Sequence, residues 1–181
     1  MSATQQAQAT WKIDPSHSSV EFAVKHMMFS TVKGTFTSVD GTIVADEANP
    51  ANSSVNVTID VATVNTRDEK RDGHLKAADF FDAEKFPTIT FATTRVEPVS
   101  EGRLKVHGNL TIRDVTREVV LDTTLNGTGT TPFGTTMAAF SAETQINRKD
   151  FGLIWNVALE TGGVLVSDNV KISLDIEAVK Q

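Results

Sequence analysis

The residues with the most chemical reach sit in two short stretches. In Arg71-Asp72-Gly73-His74-Leu75, i, i+3 and i+4 spacing puts Arg71, His74 and Leu75 on one side of a helical turn. A guanidinium and an imidazole facing the same way suit an anionic or carbonyl head group, because Arg offers phosphate a planar fork of donors. The same stretch also reads as a solvated surface, with Arg71 paired to Asp68 or Asp72. In Asn147-Arg148-Lys149-Asp150-Phe151-Gly152, Arg148 could join such a site, and Asp150 could fix the turn by bonding its backbone. A structural turn with Phe151 tucked inward accounts for that stretch equally well.

Other chemistry finds little support. The chain has no cysteine, and its four histidines, His17, His26, His74 and His107, are dispersed, with no His-x-His pair or HExxH helix. His26 continues the apolar face of Val20, Phe22 and Val24 and reads as a core or rim histidine. There is no GxSxG elbow, P-loop or GxGxxG fingerprint. Asp60, Asp122 and Asp175 each lie opposite apolar neighbours, which assigns them to outer faces. A carboxylate pair converging across strands stays open, since register is not visible in a sequence. The expectation is no catalytic residue, no metal and no cofactor.

The elements that must position these groups are strands. Val55, Val57, Ile59 and Val61 alternate with Asn56, Thr58 and Asp60; Val170, Ile172, Leu174 and Ile176 alternate with Lys171, Ser173 and Asp175. Leu104, Val106, Leu110 and Ile112 share a face opposite Lys105, His107, Asn109 and Thr111. One buried and one wet face marks antiparallel sheets. Asp40-Gly41, Asn49-Pro50, Glu101-Gly102, Asn126-Gly127 and Gly162-Gly163 read as turns between strands. Nine or ten short-spaced strands suggest a barrel or sandwich.

One segment departs from alternation. Thr66-Arg67-Asp68-Glu69 reads as a capping box opening a helix over Lys70 to Ala78, and Pro87 ends the insertion. Met27, Met28 and Phe29 break alternation and suggest a second helical turn near 26–29. Phe80, Phe81 and Phe86 cluster in the insertion, where they could plug one end of a barrel or touch a bound chain; ordinary core packing is the plainer reading.

Composition bounds the rest. The 181 residues suit one domain, and 39% apolar content supports a real core. A net charge of −6, with no Lys/Arg cluster, argues against nucleic-acid binding. No apolar run approaches the ~18 residues of a membrane span, so an integral membrane protein is not expected. Met1 to Thr10 is polar and lacks the apolar stretch of a signal peptide, which favours a cytoplasmic protein; a mature chain whose signal has been removed would be periplasmic or secreted.

Six motifs in order resemble one family. They are Trp11-Lys-Ile-Asp-Pro-Ser-His17-Ser, Val24-Lys-His26, Val32-Lys-Gly34-Thr-Phe36, Arg71-Asp72-Gly-His74-Leu75 with Phe80-Phe81-Asp82 and Phe86-Pro87-Thr-Ile-Thr-Phe91, Gly108-Asn-Leu-Thr-Ile-Arg-Asp-Val-Thr, and Asn147-Arg-Lys-Asp-Phe-Gly152. Together they resemble the YceI-like family over about Trp11 to Ala178. The resemblance implies a lipocalin-like antiparallel barrel with a long isoprenoid lipid, a polyprenyl diphosphate or a quinone, in an elongated apolar interior. It also implies that many relatives are periplasmic or secreted, and it supplies no firm catalytic residues.

The expectations are these. The fold is all-β, a closed antiparallel barrel of about eight strands, lipocalin-like, with short helices near 67–78 and 26–29. Residues 1–10 form an extended or disordered segment and 11–181 a single domain. The barrel carries or stores an isoprenoid lipid without turning it over. Phe22, Val24, Phe36, Ile59 and Phe80 line the tunnel, with Phe81, Phe91, Leu110, Ile112 and Trp155. Arg71, His74 and Arg148 meet the head group. A homodimer fits exposed barrel rims. The competing readings are an enzyme of isoprenoid or quinone metabolism using His26, His74 and Asp72, and a plain interaction barrel with a filled core.

Overall fold

Period-two alternation becomes one curled sheet. In a computed structural model that describes residues 8–181, eleven strand segments hydrogen-bond in a single antiparallel sheet. They are β1 (Ala9–Ile13), β2 (Ser19–His26), β3 (Ser30–Phe36), β4 (Val39–Ala45), β5 (Ser54–Asp60) and β6 (Val64–Asn65). After helix α1 (Glu69–Lys76) come β7 (Thr88–Ser100), β8 (Arg103–Ile112), β9 (Val115–Thr130), β10 (Thr136–Asn147) and β11 (Val166–Lys180). The expectation for residues 1–10 falls mostly outside the described residues, and the first strand already begins at Ala9.

The register shows how the ring closes. β1 pairs with β4 and β2 with β3, so 9–26 and 30–45 are two long staves, each broken once. β5 and β6 continue one another in the same way against β4 and β3. The ring then runs in chain order through β7, β8, β9, β10 and β11, which pairs back with both β2 and β1. The result is a closed eight-stave meander. The three breaks give the bends that a small barrel needs. At the first, Ser18 Oγ both donates to Glu177 O and accepts from Glu177 N, standing in for the ladder. At the third, Asp60 accepts from the Ala62 amide and caps a 3-10 turn.

Several turn and helix expectations need correction. The 26–29 segment is no helix: β2 and β3 meet in a tight hairpin with Met27 and Met28 at φ 56° and 69°. Three bulky residues broke the alternation because they form a turn. Asp40-Gly41 lies inside β4, and Asn126-Gly127 inside β9, where Asn126 is the unpaired residue of a bulge. The N-cap of α1 is Asp68, which accepts from the Arg71 amide; Thr66 lies two residues earlier and is buried. No helix among the described residues is long and apolar enough to cross a membrane.

Two ends follow from this topology. One carries the β2–β3 and β8–β9 hairpins, the 66–87 insertion with α1, and the long loop from β10 to β11. The other carries the 46–53 loop and the β7–β8 and β9–β10 hairpins. The first is the helix end of the barrel and the second its hairpin end.

Candidate functional site

The inward faces enclose a hollow of about 870 Å³. That lies in the upper part of the range of small-molecule sites, about 300–1,000 Å³. Its walls are aliphatic and aromatic side chains from every stave, and they run from one end of the barrel to the other. Many inward residues, among them Val57, Ile59, Leu121, Ile172 and Leu174, are only partly buried although they face the interior. Side chains that met across the axis would bury one another fully; these border empty space. A filled core is thereby excluded.

Local sequence explains the bore. β10 turns Ala138, Phe140, Ala142, Thr144 and Ile146 inward, and the small side chains among them keep parts of that wall shallow. On the facing walls two aromatic rings lie flat against glycines, Phe22 on Gly34 and Phe91 on Gly108. A Cβ at either glycine would collide with the ring and push it toward the axis. The structure places Phe22, Val24, Phe36, Ile59, Phe80, Phe81, Phe91, Leu110, Ile112 and Trp155 along this wall. Phe86 is absent from it and packs instead under Arg113, 5.7 Å from the guanidinium carbon.

At the helix end the polar residues converge. Arg71, His74 and Leu75 all border the cavity from α1. The Arg71 guanidinium pairs with neither Asp68 nor Asp72. Its Nε donates to Thr66 Oγ1 at 2.8 Å and its Nη2 to Thr66 O at 2.7 Å. Thr66 is held in turn by Asp72, whose Oδ1 accepts from its amide and hydroxyl at 2.8 and 2.6 Å. Two of five donors are therefore fixed, and Nη1 has no partner among the described residues. His74 stacks edge-on against Phe80 and Trp155, with centroids 5.0 and 4.8 Å away, and its Nε2 meets Asp79 at 3.0 Å.

Arg148 borders the same space in a different state. It is only 4% exposed. Nε donates to Ser167 O, Nη1 to Leu153 O and Trp155 O, and Nη2 to Val166 O, at 2.6–3.2 Å. Burial pulls its pKa below the ordinary arginine value, and the nearby Asp168 carboxylate opposes that pull. Its fork ties the two ends of the long loop together.

With this geometry in place, likeness to known proteins becomes informative. A family model described as the YceI-like domain matches residues 11–178. The chain belongs to the YceI-like family. Protein YceI of Salmonella newport is 39% identical over 175 residues, covering 96% of this chain and 88% of the relative. The Campylobacter jejuni YCEI crystal structure is 34% identical, with a TM-score of 0.75 over 87% of this chain and 90% of that one. A polyisoprenoid binding domain from Saccharophagus degradans shares the fold at 14% identity, with a TM-score of 0.67 over 94% and 98% of the two chains. The hollow barrel described here is thus a YceI-like barrel in both sequence and shape.

Some site residues of this YceI-like chain escaped sequence reasoning. Thr66 looked like a helix cap and instead anchors Arg71. Leu153 and Leu165 line the cavity from a loop with no periodicity to mark them, and Val166 lines it from the first position of β11. Trp11 lines the hairpin half, buried with Ile13, Ile43, Ala138 and Ala178; its alternation with Lys12 was the available signal. At the hairpin end, Asp46, Glu47 and Glu101 border the cavity.

One titratable cluster lies apart, at the first stave break. His17 Nδ1 meets Asp14 at 2.8 Å and Glu177 at 3.6 Å. The bond from His17, with those from Ser16, holds the Asp14 carboxyl down at about 2. The Asp14 bond and the Glu177 charge raise the His17 pKa in turn.

Proposed function

We propose that the barrel binds and carries a long apolar isoprenoid lipid, a polyprenyl diphosphate or an isoprenoid quinone, with its head at the helix end. The observation that carries this reading is the continuous apolar hollow. Each CH₂ moved from water into such walls contributes about 0.8 kcal/mol. A chain of several isoprene units can therefore exceed the cost of ordering it without any polar contact. The polar groups set direction. Arg71, with free donors at the rim, is suited to a diphosphate or carbonyl oxygen, and His74 stands one helical turn further along. Arg148 serves the head group through the loop it braces.

The lipid is carried without conversion in this reading. Two of the three groups an enzyme would draw on are committed locally, Asp72 to Thr66 and His74 to Asp79; the third, His26, borders the cavity with no carboxylate paired to its ring among the described residues.

The test is mass spectrometry of an organic extract of the purified protein, repeated after incubation with a prenyl diphosphate and a prenylquinone. The expected result is a prenylated species recovered unchanged. Leu110→Arg places a charge on the cavity wall and is expected to abolish retention in a folded barrel. An extract empty of prenyl species, with none taken up on incubation, overturns the proposal; a converted lipid overturns its non-catalytic part.

A further inference from the structure

The exposed apolar side chains of the helix end gather on two adjoining loops. Met28 is 55% and Phe29 80% exposed at the β2–β3 tip; Ile154 and Val157 are 68% and 47% exposed on the loop after β10. The loops are joined by a hydrogen bond from Met27 N to Leu165 O at 2.9 Å, and within the second loop Leu165 N donates to Val157 O at 2.9 Å. The Met28 side chain lies beside Gly163. Four large apolar groups thus stand on one rim.

The turn that presents them breaks a local rule. The β2–β3 loop has three residues, Met27, Met28 and Phe29, and left-handed backbone is uncommon for any residue but glycine or asparagine. Here methionine occupies both left-handed positions and phenylalanine follows. The β8–β9 tip across the ring, Arg113-Asp114, is polar. Backbone strain held in order to show apolar groups to water marks a functional surface.

The same rim borders the cavity. His26, Trp155, Leu165 and Val166 line it, and Met28, Ile154 and Val157 stand beside them along the chain or across the ladder. A lipid insoluble in water needs a dry path between bilayer and tunnel.

We infer that the Met28–Phe29 tip and the Ile154–Val157 loop dock the helix end on a lipid bilayer, inserting among the acyl chains. This rests on the carriage reading above. The net charge of −6 opposes attraction to anionic head groups, so apolar insertion supplies the adhesion. Zwitterionic surfaces are therefore sufficient, and salt has little effect.

The test is flotation with phosphatidylcholine vesicles at about 0.1 M and about 1 M salt. The wild-type chain is expected to float at both. Met28→Asp with Phe29→Asp is expected to lower the bound fraction about tenfold or more, and Ile154→Asp severalfold. Phe133→Asp, at the most exposed aromatic of the hairpin end (94%), is expected to change nothing. Thermal unfolding reports whether each variant folds; should the double variant not fold, Ile154→Asp decides alone. Failure of the wild type to float, loss of flotation at high salt, or loss in Phe133→Asp but not at the rim overturns the inference. Leu110→Arg separates the two readings: it is expected to float while retaining no lipid. A chain that retains lipid but never floats refutes docking alone, and one that floats but never retains lipid refutes carriage alone.

Discussion

The two ends of the barrel are built on different plans. At the helix end a 22-residue insertion and a long loop fold over the opening, and cationic or aromatic side chains reach the cavity: Arg71, His74, Arg148, Phe80 and Trp155. At the hairpin end the opening is bordered by turns and carboxylates, Asp46, Glu47 and Glu101. Between them the wall is apolar apart from a few threonines such as Thr144. Such a tunnel grips a hydrocarbon anywhere along its length but distinguishes its two termini by charge. An anionic head is favoured at one end and repelled at the other.

Within the helix end, two arginines sharpen the contrast. Arg148→Met keeps much of the side-chain volume but leaves four carbonyls, two on the loop and two at the start of β11, without their donor. Stability is expected to fall by about 3 kcal/mol or more, read from denaturant unfolding. A smaller loss would mean that the loop organises itself without the fork. Arg71 is exposed, so Arg71→Gln is expected to leave the unfolding midpoint nearly unchanged while weakening a prenyl diphosphate about tenfold, or about 1.4 kcal/mol. Glu101→Gln, at the opposite end, should leave that affinity unaltered. Equal losses in the two variants would erase the proposed polarity.

The smallest effect belongs outside the tunnel, at the Asp14–His17–Glu177 cluster. His17 has a raised pKa, so its pairing is complete below the ordinary histidine range and lost as pH rises through the raised value. Asp14, lowered to about 2, contributes above the ordinary carboxylate range and loses that contribution as pH falls toward 2. Asp14→Asn is expected to move the His17 titration, followed by NMR, down toward the ordinary value, with no change in ligand retention. A change in retention would couple this break to the cavity.

How much of this was legible in the sequence depended on distance along the chain. Alternation is a local signal, so the strands, the all-β class and the inward set Phe22, Ile59, Leu110 and Ile112 could be read directly. The 26–29 hairpin was misread because Met27, Met28 and Phe29 are none of the residues by which a turn usually announces itself, although two of them take left-handed backbone. Thr66 was misread for a related reason: Thr three residues before Glu is a capping signature, yet its hydroxyl serves Asp72 and Arg71 once the helix begins at Asp68. The carbonyls around Arg148 come from a loop without periodicity and from the strand end it leads into, and nothing local announces which guanidinium will meet them. The hollow itself depends on how far apart opposite walls stand, a property of the closed ring.

That ring has a consequence for how the chain acquires cargo. Each stave neighbours its predecessor, but the last seam, β11 against β1 and β2, joins residues 140 or more positions apart. A growing polypeptide emerging N-terminus first can assemble most of its wall as successive hairpins, yet it encloses nothing until the final segment arrives. Before that moment the inner face is an open apolar trough, a hazard for self-association and equally a surface on which a greasy molecule could template the last step. Maturation and loading are then one event seen from two sides.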